Sequence, residues 1–538
     1  MEAHGGRLAV EVLQRHDIDT MFTLSGGHLF VLYDGAVQTG MRLVDVRHEQ
    51  SATFAAEGWA KVTRRLGCAA LTAGPGVTNG VSAMTAARMN GSPIVVLAGR
   101  APQGRWGAGS LQELDHVPIV APVTKSAATA TSAASIVAEV DAACRAARTP
   151  HRGPTFVDIP LDAFGPGAIE LPVVEGPDGF RGAAPDPDAV ARIAALVGAS
   201  ARPVLVAGGD VYWAHAEGAM REFAQAARVP VFVNGMGRGT LPADHELAFS
   251  RARSVALKDA DLVLVAGTPL DFRLGFGRFG DARVVHLCDA PSEIAPHAEL
   301  SASTGGDLAA TFAALAEVGA LPGAHDDWIA RLRTEEQSKR AAELPSLEAD
   351  ATPIKPARIY GELRKRLDRD AIVIGDGGDF VSYAGKLVES FHPGTFLDPG
   401  PYGCLGMGPG YALAAGVAHP DRQVVLLLGD GAIGFALGDF ESLVRHGVNV
   451  TAIVGNNGIW GLEKHPMQAL FGYDVVAELS PGIRYDKVIE ALGGHGELVD
   501  EPGEIGPALD RAFATPGVSL VNVLTDPADA YPRSSNLA

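Results

Sequence analysis

Short aliphatic and β-branched runs recur along this chain, each separated from the next by a stretch long enough for a helix. The first third has Ala69–Thr72 and Ile94–Ala98; the middle third has Pro203–Ala207, Val229–Val233, Leu262–Ala266 and Val284–Leu287; the last third has Ala371–Ile374, Gln423–Leu428, Asn449–Val454 and Ser519–Val523. Continuous apolar strands alternating with helices predict parallel sheets covered on both faces. Ligands are then expected at the C-terminal ends of the strands. A chain of 538 residues is too long for one core. A Pro- and Gly-rich stretch from Gly165 to Asp188 and a mixed charged stretch from Leu321 to Pro356 read as linkers. The expectation is an α/β protein of three doubly wound parallel-sheet domains, at residues 1–168, 188–335 and 355–538.

Charge and composition exclude several partners. The net charge is −19, and a nucleic-acid binder needs a basic surface to displace counterions. No run of about 18 apolar residues exists, so no membrane span is expected. Four cysteines occur without a CxxC pair, which fits a reduced, cytoplasmic protein. An acidic chain that binds an anion must concentrate cations, helix N-termini or a metal locally.

The densest chemistry lies in VVLLLGDGAIGFALGDFESLVRHGVNVTAIVGNNGIWG. One strand runs into Gly429-Asp430-Gly431, a helix follows, and a second strand ends at Asn456-Asn457. In a parallel sheet both strand ends lie on one edge, so Asp430 and Asn457 can converge. Carboxylate and amide oxygens are hard ligands, suited to magnesium whose shell phosphate oxygens complete. Gly431 and Ala432 leave N–H groups free at a helix N-terminus, which favours phosphate. Each piece alone also reads as an ordinary strand–turn–helix with an Asp cap; the order and spacing together point to a diphosphate and metal site.

GDG followed after 24 residues by NN resembles the signature of thiamine-diphosphate enzymes. RHEQSATFAAEGWAK resembles the segment holding that family's catalytic glutamate, which falls on Glu49, and LTAGPGVTNGVSAM resembles its T-[SA]-GPG-x-TN loop, with Thr72 and Asn79. The resemblance covers essentially the whole chain. Its best matches lie in the branch of acetolactate synthase (large subunit), 2-hydroxyacyl-CoA lyase and oxalyl-CoA decarboxylase. It implies pyrimidine-binding, middle and diphosphate-binding domains in that order, with thiamine diphosphate and Mg2+ as cofactors. It also implies a homodimer or homotetramer whose active sites lie at the subunit interface. Glu49 would bond the pyrimidine and make the cofactor's own amino group basic enough to take the thiazolium proton. In GPYGCLGMGPGYA, Leu405 would wedge beneath the bent cofactor, with the Gly403 carbonyl and Leu405 N–H at the pyrimidine edge. Gly26 and Gly27 in SGGHLF would approach the thiazolium, and Gly377, Gly378, Gly429, Gly431 and Ala432 the diphosphate. The metal ligands would be Asp430, Asn457 and the Ile459 carbonyl. Gln112, in SLQELDHV, would face the reacting atoms, and His28 is a candidate acid or base.

Two reactions compete. The middle-domain stretch MGRGTLPADHELAFSRARSVALKDADLVLVAGTPLDFRLGFG resembles the nucleotide-binding part of the hydroxyacyl-CoA lyase group, which implies ADP there, with Arg253 as the matching arginine. The GMxGMHG-type segment that synthases use for FAD is missing, and GLEKHPM stands where synthases carry a tryptophan. The leading expectation is therefore a lyase that cleaves a 2-hydroxyacyl-CoA to formyl-CoA and a carbonyl compound, with Arg533 in the tail contacting CoA phosphate. The alternative is an acetolactate synthase joining 2-keto acids. A hydride-transferring enzyme would rest on VLVAGGDV, which lacks a full G-x-G-x-x-G.

Overall fold

The computed structural model describes residues 3–167, 170–174, 180–318, 325–529 and 531. It contains three six-stranded sheets, in each of which every neighbouring pair is parallel. The N-terminal sheet runs in the order Arg42–Asp45, Thr20–Thr23, Gly67–Leu71, Ile94–Arg100, Thr155–Pro160, Ser126–Thr129. The middle sheet runs Ala248–Phe249, Val231–Val233, Pro203–Ala207, Leu262–Ala266, Arg283–Cys288, Ala302–Gly305. The C-terminal sheet runs Phe396–Leu397, Ile372–Asp376, Val424–Gly429, Val450–Asn456, Val518–Leu524, His495–Val499. The expected architecture of three doubly wound α/β units is present. Every run read as a strand is one, with ends displaced by up to two residues.

The N- and C-terminal units share a core, because two helices rich in small residues meet between them. The helix Glu49–Thr63 is buried from Glu49 through Lys61 apart from Gln50, and the helix Gly408–Ala418 is buried through Val417. Glycines let the backbones touch: a Cβ on Gly58 would lie 2.9 Å from Tyr411 Cα, and one on Gly410 would lie 2.8 Å from Ser51 O. A buried ion pair within the first helix sits at the seam, and its lysine reaches across. Lys61 Nζ lies 3.1 Å from Glu57 Oε1 and donates to Tyr411 Oη at 2.8 Å. The packing fixes Glu49, the first residue of its helix, and leaves it 8% exposed.

The stretch near 321–356 holds a 22-residue helix, Asp326–Leu347, which crosses the boundary expected at 335. Its buried Glu336 accepts N–H bonds from Ser250 and Ala252, so it braces the middle unit. No helix among the described residues is long and apolar enough to cross a membrane. All four cysteines are free thiols.

Candidate active site

The strand Val424–Gly429 delivers Asp430 to the edge where Val450–Asn456 delivers Asn457, as their register of Gly429 against Gly455 requires. Asp430 Oδ2 accepts the Gly458 N–H at 2.7 Å, and Oδ1 accepts the Gly431 N–H at 3.0 Å. Burial pushes its carboxyl up to about 6, and no cationic side chain contributes to its environment. A hard divalent cation fits such a group, and Asn457 and Ile459 line the same cavity. Asp430, Asn457 and Ile459 line one cavity of about 500 Å³ together with Gly429, Gly431 and Ala432. Gly377, Gly378, Gly403 and Leu405 complete its walls. Gly377 has φ +123, and a Cβ there would sit 3.3 Å from the Ala432 Cβ, so glycine suits this wall of the cavity.

Two features of this cavity escape motif reading. Asp376, fully buried at a strand end, accepts the Gly406 N–H at 3.0 Å and the Gly408 N–H at 2.7 Å. It thereby clamps the loop that carries Leu405. Trp460 lies over Gly431, where any Cβ would overlap the indole, and meets Phe435 edge-on. The only sequence signals were a strand-end Asp in IGDGGDF and a bulky residue after GNNGI.

The N-terminal residues form a second cluster. Asn79 Nδ2 donates to Glu49 Oε2 at 2.9 Å, and Glu49 Oε1 lies 3.4 Å from where a Gly76 Cβ would stand. A Cβ on Gly26 would overlap the Thr72 side chain, and Gly27 begins the short turn that carries His28. The His28 ring lies 3.4 Å from Thr72 Oγ1. Burial lowers its pKa, against a hydrogen bond to the Leu111 backbone that raises it. Gln112 has φ +57 and packs on Gly74. None of these residues lines the cavity that holds Asp430 and Asn457. The expected site residues therefore gather into two groups within one chain.

The middle sheet opens a further cavity of about 370 Å³ at its strand ends, lined by Gly209, Asp210, Gly267, Thr268, Arg273 and Cys288. On its wall His151 Nδ1 lies 3.1 Å from Asp289 Oδ1 and 3.4 Å from Asp210 Oδ1. This ion cluster joins the N-terminal and middle units, and no motif announced it. Arg253 lines neither cavity. Its Nη1 donates to the Val233 carbonyl at 3.3 Å, and burial lowers its pKa, with the like charges of Arg238 and Arg273 adding to the shift. Neither Arg253 nor the deep Arg238 forms a close ion pair among the described residues, although the Asp398 carboxylate favours the charged Arg238, whose Nε is unbonded. Arg533 lies outside the described residues.

Three family models match the chain. Thiamine pyrophosphate enzyme, N-terminal TPP binding domain, covers residues 3–119; the central domain covers 190–315; and the C-terminal TPP binding domain covers 376–523. Acetolactate synthase large subunit IlvG of Mycobacterium tuberculosis is 55% identical over 546 residues, spanning 99% of this chain and 98% of its own. 2-Hydroxyacyl-CoA lyase 2 of Caenorhabditis elegans is 33% identical over 581 residues, spanning 98% and 90%. The Homo sapiens protein of the same name is 32% identical over 549 residues, spanning 93% and 86%.

Proposed function

We propose, from the premise that this chain belongs to the thiamine pyrophosphate enzyme family, that it joins two 2-oxo acids as an acetolactate synthase large subunit does. The observation that carries this reading is the 55% identity over nearly the full length of both chains. The two 2-hydroxyacyl-CoA lyases named above are 33% and 32% identical. That contrast reverses the order in which the middle-domain stretch alone ranks the two reactions.

Thiamine diphosphate, when bound, supplies a carbanion at its thiazolium carbon. The residues fit it in two halves. Asp430, Asn457 and the Ile459 carbonyl would hold Mg2+, and Gly377, Gly378, Gly429, Gly431 and Ala432 leave room and N–H groups for the diphosphate. Gly403 and Leu405 stand on the loop clamped by Asp376 and would support the ring end. Glu49, oriented by Asn79, would present a carboxyl to the pyrimidine. Gln112 would orient substrate, and His28 would act as an acid or base. Because the two clusters lie apart in one chain, we infer that the site is completed between two copies, Glu49 from one and Asp430 from the other. The cavity at the middle sheet's strand ends suits a nucleotide, ADP or FAD.

One observation favours the lyase as second reading. A buried guanidinium without a close ion pair, Arg238, lines the larger cavity, and a phosphate-rich ligand such as CoA or ADP would suit it. The test is a parallel assay with thiamine diphosphate and magnesium, using pyruvate and a short 2-hydroxyacyl-CoA. Acetolactate from pyruvate, with the thioester untouched, is expected; formyl-CoA release without acetolactate would overturn the synthase reading.

A further inference from the structure

We propose that His116 is a positioning residue, held as a single neutral tautomer by Asp158, that fixes the Gly74–Gly76 turn and through it Gln112. The inference rests on the catalytic reading of the N-terminal cluster. His116 is fully buried, and its two ring nitrogens face unlike partners. Nε2 lies 2.9 Å from the Gly74 nitrogen. A backbone N–H can only donate, so Nε2 carries no proton. Nδ1 lies 2.9 Å from Asp158 Oδ2, and the proton sits there.

Arg100 completes the chain of contacts. Its Nη1 donates to the same Asp158 oxygen at 2.8 Å and to Asp115 Oδ1 at 3.1 Å. The guanidinium balances the buried carboxylate, which therefore does not need a second cation in the imidazole. Adjacent residues Asp115 and His116 thus pin the end of the loop to the strands Ile94–Arg100 and Thr155–Pro160.

The loop so pinned carries Gln112. Gly74 has φ +62 and ψ −110, and a Cβ on it would lie 3.0 Å from both the Gln112 Cβ and the Gln112 carbonyl. Gln112 itself has φ +57. Two left-handed turns are therefore pressed together, and such conformations persist only when their surroundings hold them. His116 does so by accepting the one N–H that orients Gly74. Two residues on, Gly76 lies against Glu49. The tautomer of His116 therefore sets the spacing between Gln112 and Glu49 while itself touching neither.

The test compares His116→Leu with His116→Gln in the full chain. The leucine removes the acceptor; the glutamine amide can still accept from Gly74. With saturating thiamine diphosphate and magnesium, His116→Leu is expected to lower kcat on pyruvate about 10²-fold, the scale of a small displacement of a catalytic group. KM and cofactor affinity should stay within about twofold, because both depend on other groups. His116→Gln should recover most of the loss. Hydrogen exchange followed by mass spectrometry on the cofactor-free protein gives a second readout. Residues 72–79 and 106–116 should exchange faster in His116→Leu and as in wild type in His116→Gln. Unchanged kcat and exchange in His116→Leu would overturn the proposal. If that variant loses protection throughout the chain, the glutamine variant decides, and loss of turnover with loss of local protection there overturns it. If wild type turns over neither substrate, the functional reading fails, while the exchange comparison still decides whether His116 holds the turn.

Discussion

Removing the Lys61 ammonium while leaving Glu57 in place tests the buried ion pair inside the helix Glu49–Thr63, at the seam of the N- and C-terminal units. The two side chains are 1% and 0% exposed and 3.1 Å apart. Glu57 Oε1 also accepts from Asn90 Nδ2 at 2.8 Å and Ser92 Oγ at 3.0 Å. At that separation an effective dielectric near 20 gives an attraction of about 5 kcal/mol. Desolvation offsets much of this, so the intact pair adds little net stability. Breaking it is another matter. Lys61→Met strands a buried carboxylate, at a cost of about 3–5 kcal/mol. The double variant Glu57→Gln/Lys61→Met removes both charges, and the amide still accepts from Asn90 or Ser92, so most of that cost should return. Urea unfolding followed by far-ultraviolet circular dichroism reads the difference. With a slope of about 3 kcal/mol per molar urea, the single variant's midpoint should fall by about 1–1.7 M. A single variant within about 0.3 M of wild type, or a double variant no better than the single, would refute the reasoning.

Three further outcomes are expected. Asp430→Ala should abolish magnesium-dependent binding of thiamine diphosphate by calorimetry, and unchanged affinity would remove Asp430 from the site. Glu49→Gln should cut turnover by about 10²–10⁴; mixing it with Asp430→Ala should restore part of the activity through hybrid sites, and no recovery would place both halves within one chain. Asp376 has its carboxyl pushed up by burial to about 6 from 3.8. Its stabilising contribution is therefore complete below the unfolded value and lost as pH rises through the folded one, about 3 kcal/mol in all. Roughly half of that loss falls between pH 5 and 8, so wild type should lose about 1.5 kcal/mol over that window relative to Asp376→Asn in denaturant titrations; a difference that does not change with pH would contradict this.

Interior strands were legible because aliphatic runs such as Leu262–Ala266 have only one fate in a parallel sheet. Edge and polar strands were not. Ser126–Thr129 reads SAAT and Phe396–Leu397 spans two residues, so their neighbours, not their composition, make them strands. The convergence of Asp430 and Asn457 followed from strand order alone. The clamp by Asp376 did not, since a strand-end carboxylate gives no sign of which loop will offer it N–H groups. His116 was invisible for a similar reason: its partners lie 42 residues away on either side. Arg253 was singled out by its motif, but its uncompensated burial beside Arg238 emerged only in three dimensions.

The contact between Trp460 and Gly431 constrains the order in which this site can change over time. The atoms that an added Gly431 Cβ would strike all belong to the six-membered ring of the indole. Alanine at 431 is thus closed to any descendant that keeps the tryptophan. A smaller ring at 460 opens the space first, after which position 431 becomes free to vary. The reverse order passes through a chain in which the helix Asp430–Ala436 and the indole collide, so lineages carrying this tryptophan inherit the glycine as a fixed companion.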